Sequence, residues 1–180
     1  DDDGLIPEAL EDVIRKAALE NKPIKYLYTI PCFQNPLGWT MSLDRRKNIL
    51  EITRSHGIPI LEDDCYVDLR FEGEDITSIH SLDDTGQVMY VGSFSKIVAP
   101  GMRLGYLVAP QEVRQRALSF KAGAANQFAA LAVQEYLSSH LYSHIDDHNQ
   151  ALRLKRDAMV SALGENFGDA AEWTVPSGGL

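Results

Sequence analysis

Three residues of kinds that do chemistry, an amide, a carboxylate and an amine, follow three short runs of apolar and β-branched residues. Ile24 to Ile30 leads through Pro31 to Asn35-Pro36-Leu37-Gly38, Ile58-Pro59-Ile60-Leu61 leads to Glu62-Asp63-Asp64, and Val88-Met89-Tyr90-Val91 leads to Gly92-Ser93-Phe94-Ser95-Lys96. Runs of this kind read as strands, the last two as strands buried on both faces. In open α/β sheets ligands sit beyond the carboxyl ends of the strands, so Asn35, Asp63 and Lys96 can meet at one site although they lie 28 and 33 positions apart. Around Lys96 stand Ser93, Ser95 and, in Pro100-Gly101-Met102-Arg103-Leu104-Gly105-Tyr106, Arg103. Two hydroxyls, an amine and a guanidinium within eleven residues point to an anionic ligand, because the planar fork of arginine matches phosphate oxygens and hydroxyls can complete the cage.

The elements that must position these groups are legible from periodicity. Ile6, Leu10, Val13, Ile14, Ala17 and Ala18 recur at helical spacing behind Pro7, and the pattern ends at Asn21-Lys22-Pro23. Ser42 is a suitable N-cap for a helix from Leu43 to His56, with Gly57 where a C-cap belongs. Leu104 to Val108 supplies a further strand, and two helical stretches follow, Gln127 to His140 and Asp146 to Asn166, with a break near Ser143. Trp173-Thr174-Val175 reads as a new strand. Strands alternating with helices predict an α/β domain with a mostly parallel sheet, and the change to a long helix near residue 145 marks a candidate boundary.

Composition narrows the class. At 180 residues one domain is expected, with at most a fragment of a second, and the first and last residues read as cuts in a longer chain. A hydrophobic fraction of 44% and a charged fraction of 24% exclude collagen-like and disordered classes. The net charge of −9 argues against a surface built to neutralise phosphates, so nucleic acid is not an expected partner of this segment. No apolar run is long enough to cross a bilayer, and no membrane association is expected. Cys32 and Cys65 form neither a CxxC pair nor a disulfide scaffold, which predicts a reducing, cytoplasmic setting.

Ser93-Phe94-Ser95-Lys96, followed seven residues later by Arg103, resembles the cofactor-lysine segment of the fold-type I pyridoxal-phosphate aminotransferases, class I/II. Asn35-Pro36-Leu37-Gly38 is similar to that family's Asn-Pro-x-Gly, and Asp63-Asp64-Cys65-Tyr66 to its Asp-x-x-Tyr. The resemblance covers essentially the whole chain and is nearest to the kynurenine and 2-aminoadipate aminotransferase branch. It implies a three-layer α/β sandwich in which residues 1–145 are part of the cofactor-binding large domain. Residues 146–180 would then be a linking helix and the start of a small C-terminal domain. It implies pyridoxal 5'-phosphate as cofactor, amino acid and 2-oxo acid substrates, and a homodimer. Lys96 would form the Schiff base and move the α-proton, while Asp63 would keep the pyridine nitrogen protonated. Asn35 and Tyr66 would hydrogen-bond the ring's 3-oxygen, and Ser93, Ser95 and Arg103 would hold the phosphate. The arginine for the substrate carboxylate and the ring-stacking aromatic are expected outside this chain, so the segment alone should be a poor catalyst.

Taken singly, these residues have plainer readings. A lysine after a strand is usually solvated, an aspartate there can cap a helix, and Asn-Pro is an ordinary turn. Only the ordered set is specific. Asp64 is the rival for the pyridine role, and Asp63 is preferred because it stands three residues before Tyr66. Cys32 and Cys65 read as packing residues. His140, His144 and His148 fall four apart on one helical face, yet no carboxylate or thiolate completes a metal set, and no metal is predicted. Two rival functions share the fold by resemblance: the effector domain of a helix-turn-helix transcriptional regulator, and a carbon-sulfur lyase.

Overall fold

A computed structural model describes all residues, 1–180. Helix α1 (Pro7–Leu19) opens with its proline in the first turn, where no amide hydrogen is needed. Strand β1 (Leu27–Thr29) follows, then α2 (Leu43–Ser55), whose Ser42 side chain accepts from the Arg45 amide as an N-cap. Gly57, at φ +63°, turns the chain out of α2 toward β2 (Ile60–Asp63). A single turn, α3 (Ile79–Leu82), leads to β3 (Val88–Ser93). Beyond it come β4 (Gly105–Val108), α4 (Gln111–Phe120) and α5 (Gln127–Phe167).

The strands form one sheet in the order β1-β2-β3-β4, with the first three parallel and β4 antiparallel to β3. Pleating sorts their side chains. Ile60 pairs with Leu27 and Val88, and these residues join Leu10, Ile14, Ile49, Leu50 and Ile79 in a core beneath α1, α2 and α3. Two carboxylates share that core-facing side, Glu62 and Asp64, and both are buried. Glu62 accepts from the Ile79 and His80 amides at 2.9 and 2.7 Å, so it caps α3 from below. Burial pushes its carboxyl pKa up, with the two amides pulling the other way. Opposite-facing Tyr28, on the other side of the sheet, is half exposed, as is β4 throughout.

Arg46 of α2 is fully buried yet forms no ion pair by contact. Its guanidinium donates to the carbonyls of Met41 and Pro31 at 3.0 and 3.2 Å, to those of Ile76 and Thr77, and to Cys32 Sγ. Both ends of the loop that carries Asn35 are therefore fastened to one side chain.

Three sequence expectations are corrected. The helix expected to break near Ser143 runs unbroken over 41 residues, held mid-length by Asn149, which donates to the Asp68 and Arg70 carbonyls at 2.9 Å. The candidate boundary near residue 145 lies along this helix. Trp173 to Val175 forms no strand; the chain instead returns through an isolated bridge between Gly178 and Arg70. A side chain at Gly178 would lie 2.3 Å from the Phe33 ring, so only glycine lets this return pass so close to the Asn35 loop. The strand read from Ile24 to Ile30 is confined to Leu27–Thr29.

Candidate active site

Asn35, Asp63 and Lys96 all lie just beyond or at the carboxyl ends of β1, β2 and β3, as the strand pattern predicts. The loop after β1 is set by Phe33 and Gly38, both at positive φ, and by the Gly38 amide donating to the Gln34 carbonyl. It turns Asn35 so that its Nδ2 donates to the Tyr66 hydroxyl at 3.4 Å. Tyr66 sits in the turn after β2, and the Lys96 ammonium lies 5.8 Å from the centre of its ring. Asn35, Tyr66 and Lys96 line a cavity of about 320 Å³, closed on one side by Pro176, Gly178 and Gly179.

Asp63 points to the side of the sheet away from the core. Its Oδ2 accepts from the Tyr28 hydroxyl at 2.7 Å, while its Oδ1 is buried without any partner. Burial, then the Asp63 charge, pushes the Tyr28 pKa well up, so its hydroxyl stays a donor. The Cys65 thiol is within the field of both Asp63 and Lys96, and burial followed by the Asp63 charge pushes it up to about 11. Cys32 is pushed up to about 12, chiefly by burial, and neither thiol is activated as a nucleophile. Asp64 also leaves Oδ1 unpartnered, but it faces the core among Cys32, Arg46 and Tyr90, and burial raises its pKa. The pleat therefore separates the two neighbouring aspartates onto opposite faces.

Ser93, Ser95 and Arg103 line a second cavity, of about 640 Å³, divided from the first by the turn from Ser93 to Lys96. The Ser93 hydroxyl accepts from the Ser95 amide at 3.2 Å. Arg103 adopts a left-handed backbone at φ +52°, sparsely used by residues with a Cβ and typical of strained ligand clamps. Its guanidinium has no carboxylate partner and donates only to the Pro100 carbonyl at 3.3 Å. Arg114 of α4 and Lys121, just past its end, add two more cations to this cavity, and sequence reasoning missed both. The signal was weak, since α4 has no buried residue and its apolar Val113, Leu118 and Phe120 are exposed.

The seven predicted residues thus fall into two sets, Asn35, Tyr66 and Lys96 in one cavity and Ser93, Ser95 and Arg103 in the other. Asp63 lines neither and joins the first set through Cys65 and Tyr28. An unpartnered buried acceptor, an ammonium without a carboxylate and an unpaired guanidinium with two hydroxyls suit a ligand with a ring N–H, a carbonyl carbon and a phosphate.

Residues 1–179 match the family described as aminotransferase class I and II. The chain belongs to that family. Aromatic-amino-acid aminotransferase 1 of Thermococcus litoralis is 38% identical over 184 residues, covering 100% of this chain and 44% of that protein. An uncharacterised HTH-type transcriptional regulator of Bacillus subtilis, YdfD, is 34% identical over 184 residues, covering 100% of this chain and 37% of its own length. Among solved structures, Pyrococcus horikoshii kynurenine aminotransferase, in complex with PMP, superposes at a TM-score of 0.93 and 37% identity, over 99% of this chain and 45% of that one. The chain thus spans less than half the length of these aminotransferase relatives, and the α/β architecture expected from sequence is the one they share. No helix is long and apolar enough to cross a membrane.

Proposed function

We propose that the complete protein containing this chain transfers an amino group between an amino acid and a 2-oxo acid, with pyridoxal 5'-phosphate held by the residues named above. The observation that carries this reading is the buried, unpartnered Oδ1 of Asp63 together with a Lys96 ammonium that has no carboxylate partner, the two acting on Cys65 in common. The cofactor, when bound, supplies an electron sink for the carbanion left at the substrate's α-carbon. Asp63 accepts from the ring nitrogen and holds its proton there. Asn35 and Tyr66 fix the ring by its 3-oxygen, and Ser93, Ser95 and Arg103 fix it by the phosphate. Lys96 would supply the amine for the covalent link to the cofactor and would carry the proton to and from the substrate's α-carbon.

The same proposal takes residues 1–145 as part of the cofactor-binding domain and 146–180 as linking helix and start of a small domain. It also takes the protein as cytoplasmic and homodimeric. Two free cysteines support the first, and exposed Leu118, Phe120, Phe128 and Leu131 around the α4–α5 connection support apolar contact with a partner subunit. The likeness to YdfD favours a second reading, in which the chain is the aminotransferase-like effector part of a regulator.

The test is to load the complete protein with pyridoxal phosphate and follow 2-oxo acid release from a panel of amino acids with 2-oxoglutarate as acceptor. Transfer with at least one donor is expected. No transfer with any donor, together with ligand-dependent DNA binding by the complete protein, would overturn the enzyme reading in favour of the regulator.

Arg103→Ala is expected to weaken cofactor binding by about tenfold to a hundredfold, the range for losing a charge-assisted contact to phosphate. Titration of the cofactor-free protein with pyridoxal phosphate, read by absorbance, measures it. Unchanged affinity with reduced turnover would place Arg103 on the substrate instead.

A further inference from the structure

Lys96 lies in a turn rather than in a helix or strand, with the Val98 amide donating to the Phe94 carbonyl at 2.9 Å. No backbone amide reaches the next carbonyl, that of Ile97. A carbonyl at the rim of a site needs a donor, and here the donor comes from 47 residues away: His144 Nε2 of α5, at 2.5 Å. A carbonyl only accepts, so Nε2 carries the hydrogen and Nδ1 of the neutral ring is bare. The Tyr136 hydroxyl, 3.1 Å from Nδ1, donates to it and so fixes the tautomer. The ring is also held edge-on by Tyr136, at 5.4 Å between centroids, and face-on by His148, at 6.1 Å. Packing repeats the connection, because the Ile97 side chain is buried against Leu69 and Leu152, the latter just over two turns further along α5 than His144.

We propose that His144 is a positioning residue for Lys96, holding the lysine turn in place through the Ile97 carbonyl while Tyr136 holds the imidazole in the donating tautomer. The inference rests on Lys96 being the amine that links to the cofactor. His144 does not touch the reacting atoms; its effect reaches them through one peptide unit. The tie joins the longest helix of the chain to the residue that moves the proton.

Glutamine and asparagine separate the geometry from mere polarity. Glutamine Nε2 takes the place of the histidine Nε2 and can still donate to Ile97, whereas asparagine Nδ2 takes the place of Nδ1 and falls short. In the complete protein, His144→Asn is expected to lower kcat about three- to tenfold, the rate equivalent of one neutral hydrogen bond, with KM for the amino acid within about twofold. Attachment of pyridoxal phosphate in borohydride-fixable form should slow by a similar factor. In the cofactor-free protein, amide hydrogen exchange across residues 94–99 should quicken. His144→Gln should restore all three to within about twofold of the unaltered protein. The inference is overturned if the two variants behave alike, or if His144→Asn raises KM and leaves kcat unchanged. Loss of activity in His144→Asn through misfolding would show as a lowered thermal midpoint with no exchange change confined to residues 94–99, and counts against the proposal too. A failure of the underlying reading has a different signature, a covalent link that survives Lys96→Ala.

Discussion

Lys96→Ala in the complete protein is expected to abolish the borohydride-fixable link to pyridoxal phosphate and to lower amino-group transfer about a thousandfold or more. Two losses combine. A general acid–base group typically contributes about a hundredfold to ten-thousandfold, and the covalent route it opens is lost with it. No other lysine lines the cavity that holds Asn35 and Tyr66, and the one lysine of the adjoining cavity, Lys121, follows the end of α4. Peptide mapping after borohydride reduction makes the measurement. A label recovered on a different lysine would remove the assignment of Lys96 and with it the proposed reaction.

Asp63→Asn is expected to keep the cofactor bound yet reduce transfer at least about a hundredfold, the scale for losing one strong electrostatic stabiliser of a transition state. The substitution preserves shape and the Tyr28 contact, so a fall in turnover with unchanged cofactor affinity reports charge alone. Asp64→Asn is the companion. Asp64 faces Cys32, Arg46 and Tyr90 on the core side of the sheet, so its loss should act on stability rather than on turnover. Should Asp64→Asn cost the hundredfold and Asp63→Asn cost nothing, the carboxylates have been assigned in the wrong order.

Much of the fold was open to reading because local chemistry and tertiary packing agree at the same residues. Ser42 caps α2, Gly57 takes the positive φ that ends it, and Pro7 opens α1. Where they disagree the reading fell short. Neither glycine nor proline occurs between residues 127 and 163, so the break expected near Ser143 has no local cause. The unbroken α5 is maintained by contacts from distant residues, His144 to Ile97 and Asn149 to Asp68, which no local pattern can show. Helix α3 has four residues, too short for a period; Ser78 caps it locally, while its first two amides are taken by Glu62, seventeen and eighteen positions earlier. The candidate site residues are legible as ordered motifs. The Tyr28 contact is not, because knowing that Tyr28 and Asp63 share a face requires the β1–β2 register, in which Tyr28 pairs with Leu61.

The buried guanidinium of Arg46 bears on how the site comes apart. One side chain of α2 supplies donors to both ends of the Asn35 loop and to the segment before α3, and its bonds to Met41, Pro31 and Cys32 would be lost together if that loop lifted away. Exposing several backbone acceptors and a buried cation together costs far more than peeling off an ordinary surface loop. The Asn35 loop therefore belongs to the same cooperative unit as α2 and the core. On heating, the ring-binding side of the pocket should melt with the protein as a whole instead of ahead of it.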